Sequence, residues 1–348
     1  MKKNLILLFI ASLFFAACSP DYEILKSQTS IVLTADTSVK IIGQPITFTV
    51  IDGEGNDVTS EATITIDGTT ITGNTFTSST VGYFEAKADY YGIESQIVMI
   101  NFHDGTEINF VKRLLIEDYT GTWCGYCPRV AYAIEQVKAQ TDKVVAVGIH
   151  RPTSDVSSGN YDPYNYDTSE LEAVINTPGY PKGFLNRMTQ WIYPEPTNVP
   201  QAVALTQGLN PKLGLAMSST VENGNISIDV NVKFGKDFNN LRLVVYILEN
   251  GLIYEQHNYT SYYGGVDVIE HFEHNHVLRQ CITPLLGEAI TGNTTIANVY
   301  AKTFNVPIPA SVANSANLEF VAFVVDSNNN AINVRSTHPG EIQEFEQL

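Results

Sequence analysis

Cys124 and Cys127 stand two residues apart in the run Trp123-Cys124-Gly125-Tyr126-Cys127-Pro128. A strand-like apolar stretch, Leu114, Leu115 and Ile116, precedes them, followed by a short turn, Thr120-Gly121-Thr122. A helix-like segment, Arg129 to Gln140, comes next. A Cys-x-x-Cys pair between a strand and the start of a helix suits thiol–disulfide chemistry. The unpaired N–H groups and positive dipole end of a helix start stabilise a thiolate. Cys124 is therefore expected to have a depressed pKa and to be the attacking sulfur. Cys127, about one helical turn later, is placed to resolve a mixed disulfide. Half of a zinc site is the rival arrangement, but it would need two more ligands and there is no second Cys pair. A structural staple is the plainer alternative.

The elements that must hold this pair lie in a chain of 348 residues, long enough for about two to three domains. Hydrophobic residues make up 44% and charged residues 16%, a globular balance. A formal charge of −17 with no basic patch argues against nucleic acid as a partner. Lys2 and Lys3 followed by the apolar run Leu5–Phe15 read as a signal peptide, residues 1–17, too short to span a bilayer. Phe15-Ala16-Ala17-Cys18 resembles a lipobox, so Cys18 is the expected lipidation site and acyl chains the expected anchor. The alternative is an ordinary secretory signal cleaved near Ala17. Residues 18–28 form a polar, lipidated tether, and Ser19-Pro20-Asp21-Tyr22-Glu23 resembles the surface-export signal of Bacteroidetes lipoproteins. Of the four cysteines, Cys281 is left over and is expected to be a buried small hydrophobe.

Period-two alternation dominates residues 29–103. Ile31/Leu33, Ile46/Phe48/Val50, Ile64/Ile66, Phe84/Ala86/Ala88 and Ile97/Met99 are read as inward-facing, with turn clusters such as Asp52–Asp57 between them. This predicts an Ig-like β-sandwich, a spacer or docking module without a catalytic constellation. In residues 108–208 the order is strand, helix, strand, helix, strand, which predicts an α/β unit. Val144–Ile149 is its buried parallel strand, and Ser169-Glu170-Leu171-Glu172 has capping-box spacing. From 209 to 348 alternation returns, with a hairpin signal at Asn223-Gly224-Asn225, and predicts a C-terminal β-sandwich. Pro307 and Pro309 are read as part of a connection. His274 and His276 would share one face of a strand and His271 the other, which lacks a third ligand, so neither metal nor other cofactor is expected.

Residues 108 to about 208 resemble a thioredoxin-fold domain. Trp123-Cys124-Gly125-Tyr126-Cys127 is similar to that family's active-site motif, and Tyr180-Pro181 to its cis-proline position. The resemblance implies that Pro181 and Tyr180 shape a substrate groove, that Trp123 shields one side of the site, and that Asp118 or its neighbour Glu117 accepts the proton of the second thiol. The whole order resembles the thioredoxin-like outer-membrane lipoproteins of Bacteroidetes. Glu117 to Pro128 is the most specific part, joined by His274-Asn275-His276-Val277-Leu278-Arg279. The implied protein is a lipid-anchored thiol–disulfide oxidoreductase of the cell envelope, at the outer membrane and facing periplasm or cell surface. Its partners would be protein thiols and disulfides, and a membrane electron donor if it acts as a reductase. The rival is a non-catalytic, binding or adhesin-like surface lipoprotein in which Cys124–Cys127 is a static disulfide.

Overall fold

A computed structural model describes residues 30–104, 107–292, 294, 296 and 298–348. The expected signal peptide, the tether and Cys18 lie outside the described residues.

Alternating apolar side chains build the first unit. Its strands are β1 (Ile31–Ala35), β2 (Val39–Ile41), β3 (Ile46–Asp52), β4 (Thr63–Ile66), β5 (Thr69–Thr70), β6 (Thr75–Phe76), β7 (Gly82–Tyr90), β8 (Ile93–Glu94) and β9 (Val98–His103). They form two sheets, β1-β3-β6 and β2-β9-β7-β4-β5, with β8 on β7. Both feed one apolar core, where Ile46, Phe48 and Val50 of β3 meet Ile64, Ala86, Ile100 and Phe102. The rings of Phe76, Phe84 and Phe102 meet edge-on with centroids 5.3–5.8 Å apart. One face was read wrongly from sequence. Ile100 and Phe102 point inward on β9 and Ile97 is exposed, because the strand starts one residue later and a one-residue slip exchanges its faces.

The rest of the described chain is organised by a nine-stranded sheet. Its strands are β10 (Leu114–Thr120), β11 (Val144–His150), β12 (Lys182–Leu185), β13 (Thr189–Gln190), β16 (Arg242–Glu249), β19 (Val277–Cys281), β20 (Glu288–Ala289), β22 (Leu318–Val325) and β23 (Ala331–Thr337). The order is β13-β12-β10-β11-β19-β16-β22-β23, with β20 on β16. β10 and β11 run parallel across α1 (Pro128–Lys138), and β12 runs antiparallel to β10. Two shorter helices, α2 (Ser169–Ile175) and α3 (Val199–Ala204), complete the α/β part. A three-stranded sheet of β14 (Leu213–Glu222), β15 (Asn225–Phe234) and β21 (Val299–Pro307) packs on β16 and β22.

The sheet is continuous across residue 208. Gly148 of β11 pairs with Val277 of β19, and one apolar cluster joins Leu115, Val147 and Phe184 to Tyr246, Leu278 and Phe323. The α/β part and the C-terminal strands thus share a ladder and a core. The β14–β15 turn is the foreseen one: Asn223 and Gly224 both have positive φ, 52° and 78°, the geometry a two-residue hairpin loop needs. Pro307 is not in a connection but ends β21. As β21 is the outer strand of its sheet, a missing N–H there is tolerated. The capping box at Ser169 also fails. Thr168 is the N-cap, without a side-chain cap bond, and Glu172 is drawn away to Lys182, Arg151 and Tyr180.

The last pair of strands, β17 (Leu252–His257) and β18 (Val268–His274), forms a separate two-stranded hairpin. It has no counterpart in the sequence reading, and it lies over the site.

Candidate functional site

β10 is buried along its whole length and delivers the chain into the Cys turn. The turn closes through Cys124 N–H to Gly121 O and Cys127 N–H to Cys124 O, both 3.0 Å. Cys127 is the N-cap of α1 and Pro128 its first residue, where a missing N–H costs nothing. Cys124 and Cys127 are joined as a disulfide, only 5% and 1% exposed. A second anchor comes from the loop after β11. The buried Asp162 carboxylate accepts Thr122 N–H (2.8 Å), Tyr164 N–H (2.8 Å) and a hydrogen bond from His150 Nδ1 (2.9 Å). The His150 partnership and these backbone bonds outweigh burial and keep Asp162 below the usual carboxylate range.

Trp123 is half-buried. Its Nε1–H donates to Arg151 O (2.5 Å), and its ring meets Tyr180 edge-on at 5.9 Å. The Tyr180–Pro181 peptide is cis and leads into β12. Tyr180 OH donates to Glu172 (2.7 Å), which also receives Lys182 Nζ (2.9 Å), so a buried ion pair fixes the proline loop beside Trp123. The structure therefore brings Cys124, Cys127, Trp123, Tyr180 and Pro181 to one place.

The two acids part company, because neighbours on a strand face opposite ways. Asp118 shares with Cys127 the wall of a cavity of about 160 Å³ between α1 and the hairpin. Burial, reinforced by Glu195 and opposed by Arg129, pushes its carboxyl well above the usual range, and its Oδ1 has no partner. Glu117 faces the other side, accepting from Tyr246 OH (3.1 Å) beside the buried Arg187. It is not behind the Cys pair.

Three residues that sequence reasoning passed over, Gln256, His257 and Tyr259, complete the arrangement together with His274. The side chain of Gln256, fully buried on β17, places Nε2 3.2 Å from Gly121 O and 3.1 Å from Cys124 O. His257 N–H donates to Thr122 O (2.8 Å), and Tyr259 N–H to Gly125 O (2.6 Å). The Tyr259 ring lies on Gly125, where any Cβ would strike it. His274 lines the cavity, its Nε2 unpartnered and its pKa pulled down to about 3 by burial and His150. The β17–β18 hairpin lies mostly at the surface, with only Leu252, Gln256 and His274 of its strand residues buried, so no apolar face marks it in the sequence.

The histidine cluster also resolves differently from expectation. His271 is exposed and His274 is buried. His276 has positive φ in the turn after β18 and bonds Glu319 (2.7 Å), so it does not share a strand face with His274. Among the described residues no group of three His, Cys, Asp or Glu side chains is placed for a metal ion. Cys281 is half-buried rather than buried and is free, its thiol raised to about 11 by burial.

A family profile described as Outer membrane protein Omp28 matches residues 168–343, just over half of the chain. The chain belongs to the Omp28 outer-membrane protein family. The expected localisation at the outer membrane is thereby borne out. The match begins beyond the Cys pair, so it shows the outer-membrane part of the resemblance and not the thioredoxin-like part. Two solved structures are similar. HBP35 of Porphyromonas gingivalis is 18% identical over 66% of this chain and 76% of that one, with a TM-score of 0.49. A domain of the outer membrane lipoprotein Omp28 from Porphyromonas gingivalis is 19% identical over 37% and 89%, with a TM-score of 0.26. No curated protein matches the chain. As an Omp28-family member it is a β-rich outer-membrane protein carrying one disulfide among the described residues.

Proposed function

We propose that the protein is an outer-membrane lipoprotein, anchored through Cys18, whose β-rich body serves binding at the cell envelope. In this reading Cys124–Cys127 is a closed disulfide in the resting molecule. The observation that carries it is the cover: the pair is almost wholly buried, and its turn is hydrogen-bonded to Gln256, His257 and Tyr259. The test is the equilibrium of the pair with dithiothreitol or glutathione in the full chain. A potential below about −300 mV is that of a structural disulfide and is expected here. A value near about −270 mV, the thioredoxin end, or near about −120 mV, the strongly oxidising end, would overturn it.

A second reading is a thioredoxin-like thiol–disulfide oxidoreductase acting on envelope proteins, with residues 108–208 as its thioredoxin-like domain. A different observation favours it: Asp118, its carboxyl pushed well above the usual range by burial, shares a cavity wall with Cys127, while Trp123 and Tyr180 flank the turn. A client dithiol would lose one proton to solvent, and its thiolate would attack Cys124 Sγ. The S–S bond breaks, and Cys127 leaves as a thiolate that takes the Asp118 proton. The client's second thiol gives its proton to Asp118 and attacks the client sulfur of the mixed disulfide. Cys124 is released as a thiolate and takes up a proton from solvent. The client loses two electrons and two protons, and the pair gains both. Run backwards, the reduced pair cuts a client disulfide with Cys124 as nucleophile. Insulin reduction by the dithiothreitol-primed protein tests it, and no turnover above dithiothreitol alone would sink it.

A further inference from the structure

We propose that the β17–β18 hairpin is a displaceable strap occupying the place of a client polypeptide over Cys124–Cys127, so that the disulfide is latent rather than permanently sealed. The inference goes beyond both readings above. Its client, like its turnover arm, rests on the oxidoreductase reading; the lifting of the hairpin does not.

The contacts imitate a bound chain. His257 and Tyr259, two residues apart, present main-chain N–H groups to Thr122 O and Gly125 O. Both acceptors are main-chain carbonyls of the Cys turn, which the backbone N–H groups of a client would equally satisfy. Gln256 Nε2 adds the bonds to Gly121 O and Cys124 O, so the acceptors of the Cys turn are taken up by the chain's own segment. A client needs only N–H donors at the same spacing to replace it.

The attachment is that of an arm, not a core layer. β17 and β18 pair with each other and with neither neighbouring sheet. A two-stranded hairpin is marginal by itself. The cavity of about 160 Å³ lies between the hairpin and α1, lined by Phe272 and His274 on one side and Cys127 and Ala131 on the other. Beside the cavity the arm touches the rest of the chain through His274, whose ring meets His150 and Tyr164 edge-on at 5.2 and 5.5 Å. Its roots are Gly251 and His276, both at positive φ (69° and 57°), where the chain leaves and rejoins the large sheet. Its tip is held by aromatic side chains. Tyr262 stacks on Tyr132 of α1 with centroids 4.3 Å apart, Tyr263 OH donates to Glu135 (2.8 Å), and Tyr259 meets Tyr126 edge-on at 5.6 Å. Tyr259 is 62% exposed, so one face of its ring covers Gly125 and the other meets solvent. Such a latch can be undone without unfolding the sheet beneath.

The test is the rate at which dithiothreitol opens Cys124–Cys127 in the full chain in detergent, read by iodoacetamide trapping and mass spectrometry. Tyr259→Ala and Tyr262→Ala should each accelerate reduction about tenfold, as expected for losing one aromatic latch contact. Rates equal to wild type in both variants, with unfolding midpoints intact, would overturn the strap. Hydrogen exchange of wild-type amides 256–260 decides independently of whether the variants fold. Exchange much faster than that of β10 supports a lifting arm, and exchange as slow as that of β10 overturns it. Insulin turnover separates the two ideas. Faster opening without turnover leaves the strap and removes the oxidoreductase reading; wild-type turnover equal to that of both variants does the reverse.

Discussion

The N-terminal unit and the nine-stranded sheet bury different things. In residues 31–103 the interior is Ile, Leu, Val, Phe and Ala from alternate positions. Its buried Asp52, Ser78 and Ser95 serve local backbone: Asp52 holds Glu54 N–H and Asn56 N–H, Ser78 holds Thr80 N–H, and Ser95 holds Ala88 N–H. The large sheet buries Glu117, Asp118, Arg187, Glu195, Glu249, His274 and Arg279. Charge out of water is expensive unless paired, and a buried pair is weak support for stability. The first interior therefore holds a shape, and the second holds a site. There Asp162 holds the Cys turn and the Glu172–Lys182 pair holds the proline loop, and the surrounding apolar clusters must offset the cost of the other buried charges.

The largest test of that contrast is Phe48→Ala. It should remove roughly 3–5 kcal/mol from the N-terminal unit in urea unfolding, and leave the reduction rate of Cys124–Cys127 unchanged. A coupled change in that rate would break the separation. Arg187→Met comes next. Loss of the buried guanidinium beside Glu117 and Tyr246 should cost about 3 kcal/mol, and adding Glu117→Gln should recover most of it in a double-mutant cycle.

Titration sharpens the contrast further, since the buried histidine and carboxyl with shifted pKa values, His274 and Asp118, belong to the second interior. His274 is held uncharged with a pKa near about 3, against an ordinary value of 6.5. The unfolded chain takes up that proton first as pH falls, so stability drains from about 6.5 toward 3. His274→Gln should flatten that part of the plot of Tm against pH. Asp118 acts in the opposite sense. Its pKa is raised above 3.8, so the folded protein keeps its proton longer, and stability is lost as pH rises through the interval above 3.8. Asp118→Asn should raise Tm at pH 7 and remove that slope; an unchanged Tm would mean the carboxyl is solvated. The smallest effect belongs to the N-terminal surface. Lys87 and Glu94 form an ion pair at 2.6 Å but are 37% and 63% exposed. Lys87→Ala should change stability by no more than about 0.5 kcal/mol.

Much of the architecture was legible because alternation survives wherever one face of a strand is buried. β3 and β15 show it, alternating buried and half-buried residues along Ile46–Asp52 and residues 226–234, whereas β22 is buried along its whole length. The Cys-x-x-Cys turn at the start of α1 was legible from residue type and spacing. The slip on β9 and the false capping box at Ser169 share a cause. Ile97 and Ser169 fit their patterns locally, while β7 pairing and the pull of Lys182 on Glu172 were decided elsewhere in the chain.

By itself the sequence determined most strand segments outside β17 and β18, that Cys124 and Cys127 can close on each other, and that Asp118 and Glu117, neighbours on a strand, face opposite ways. These follow from periodicity and from rings closed within a few residues. Only the tertiary structure decided which acid lies behind Cys127, that the sheet runs on across residue 208, and that Gln256, His257 and Tyr259 cover the disulfide. Each depends on contacts between segments about 130 residues apart. No local pattern encodes such a contact, because what stabilises it is the partner surface and not the neighbouring residues.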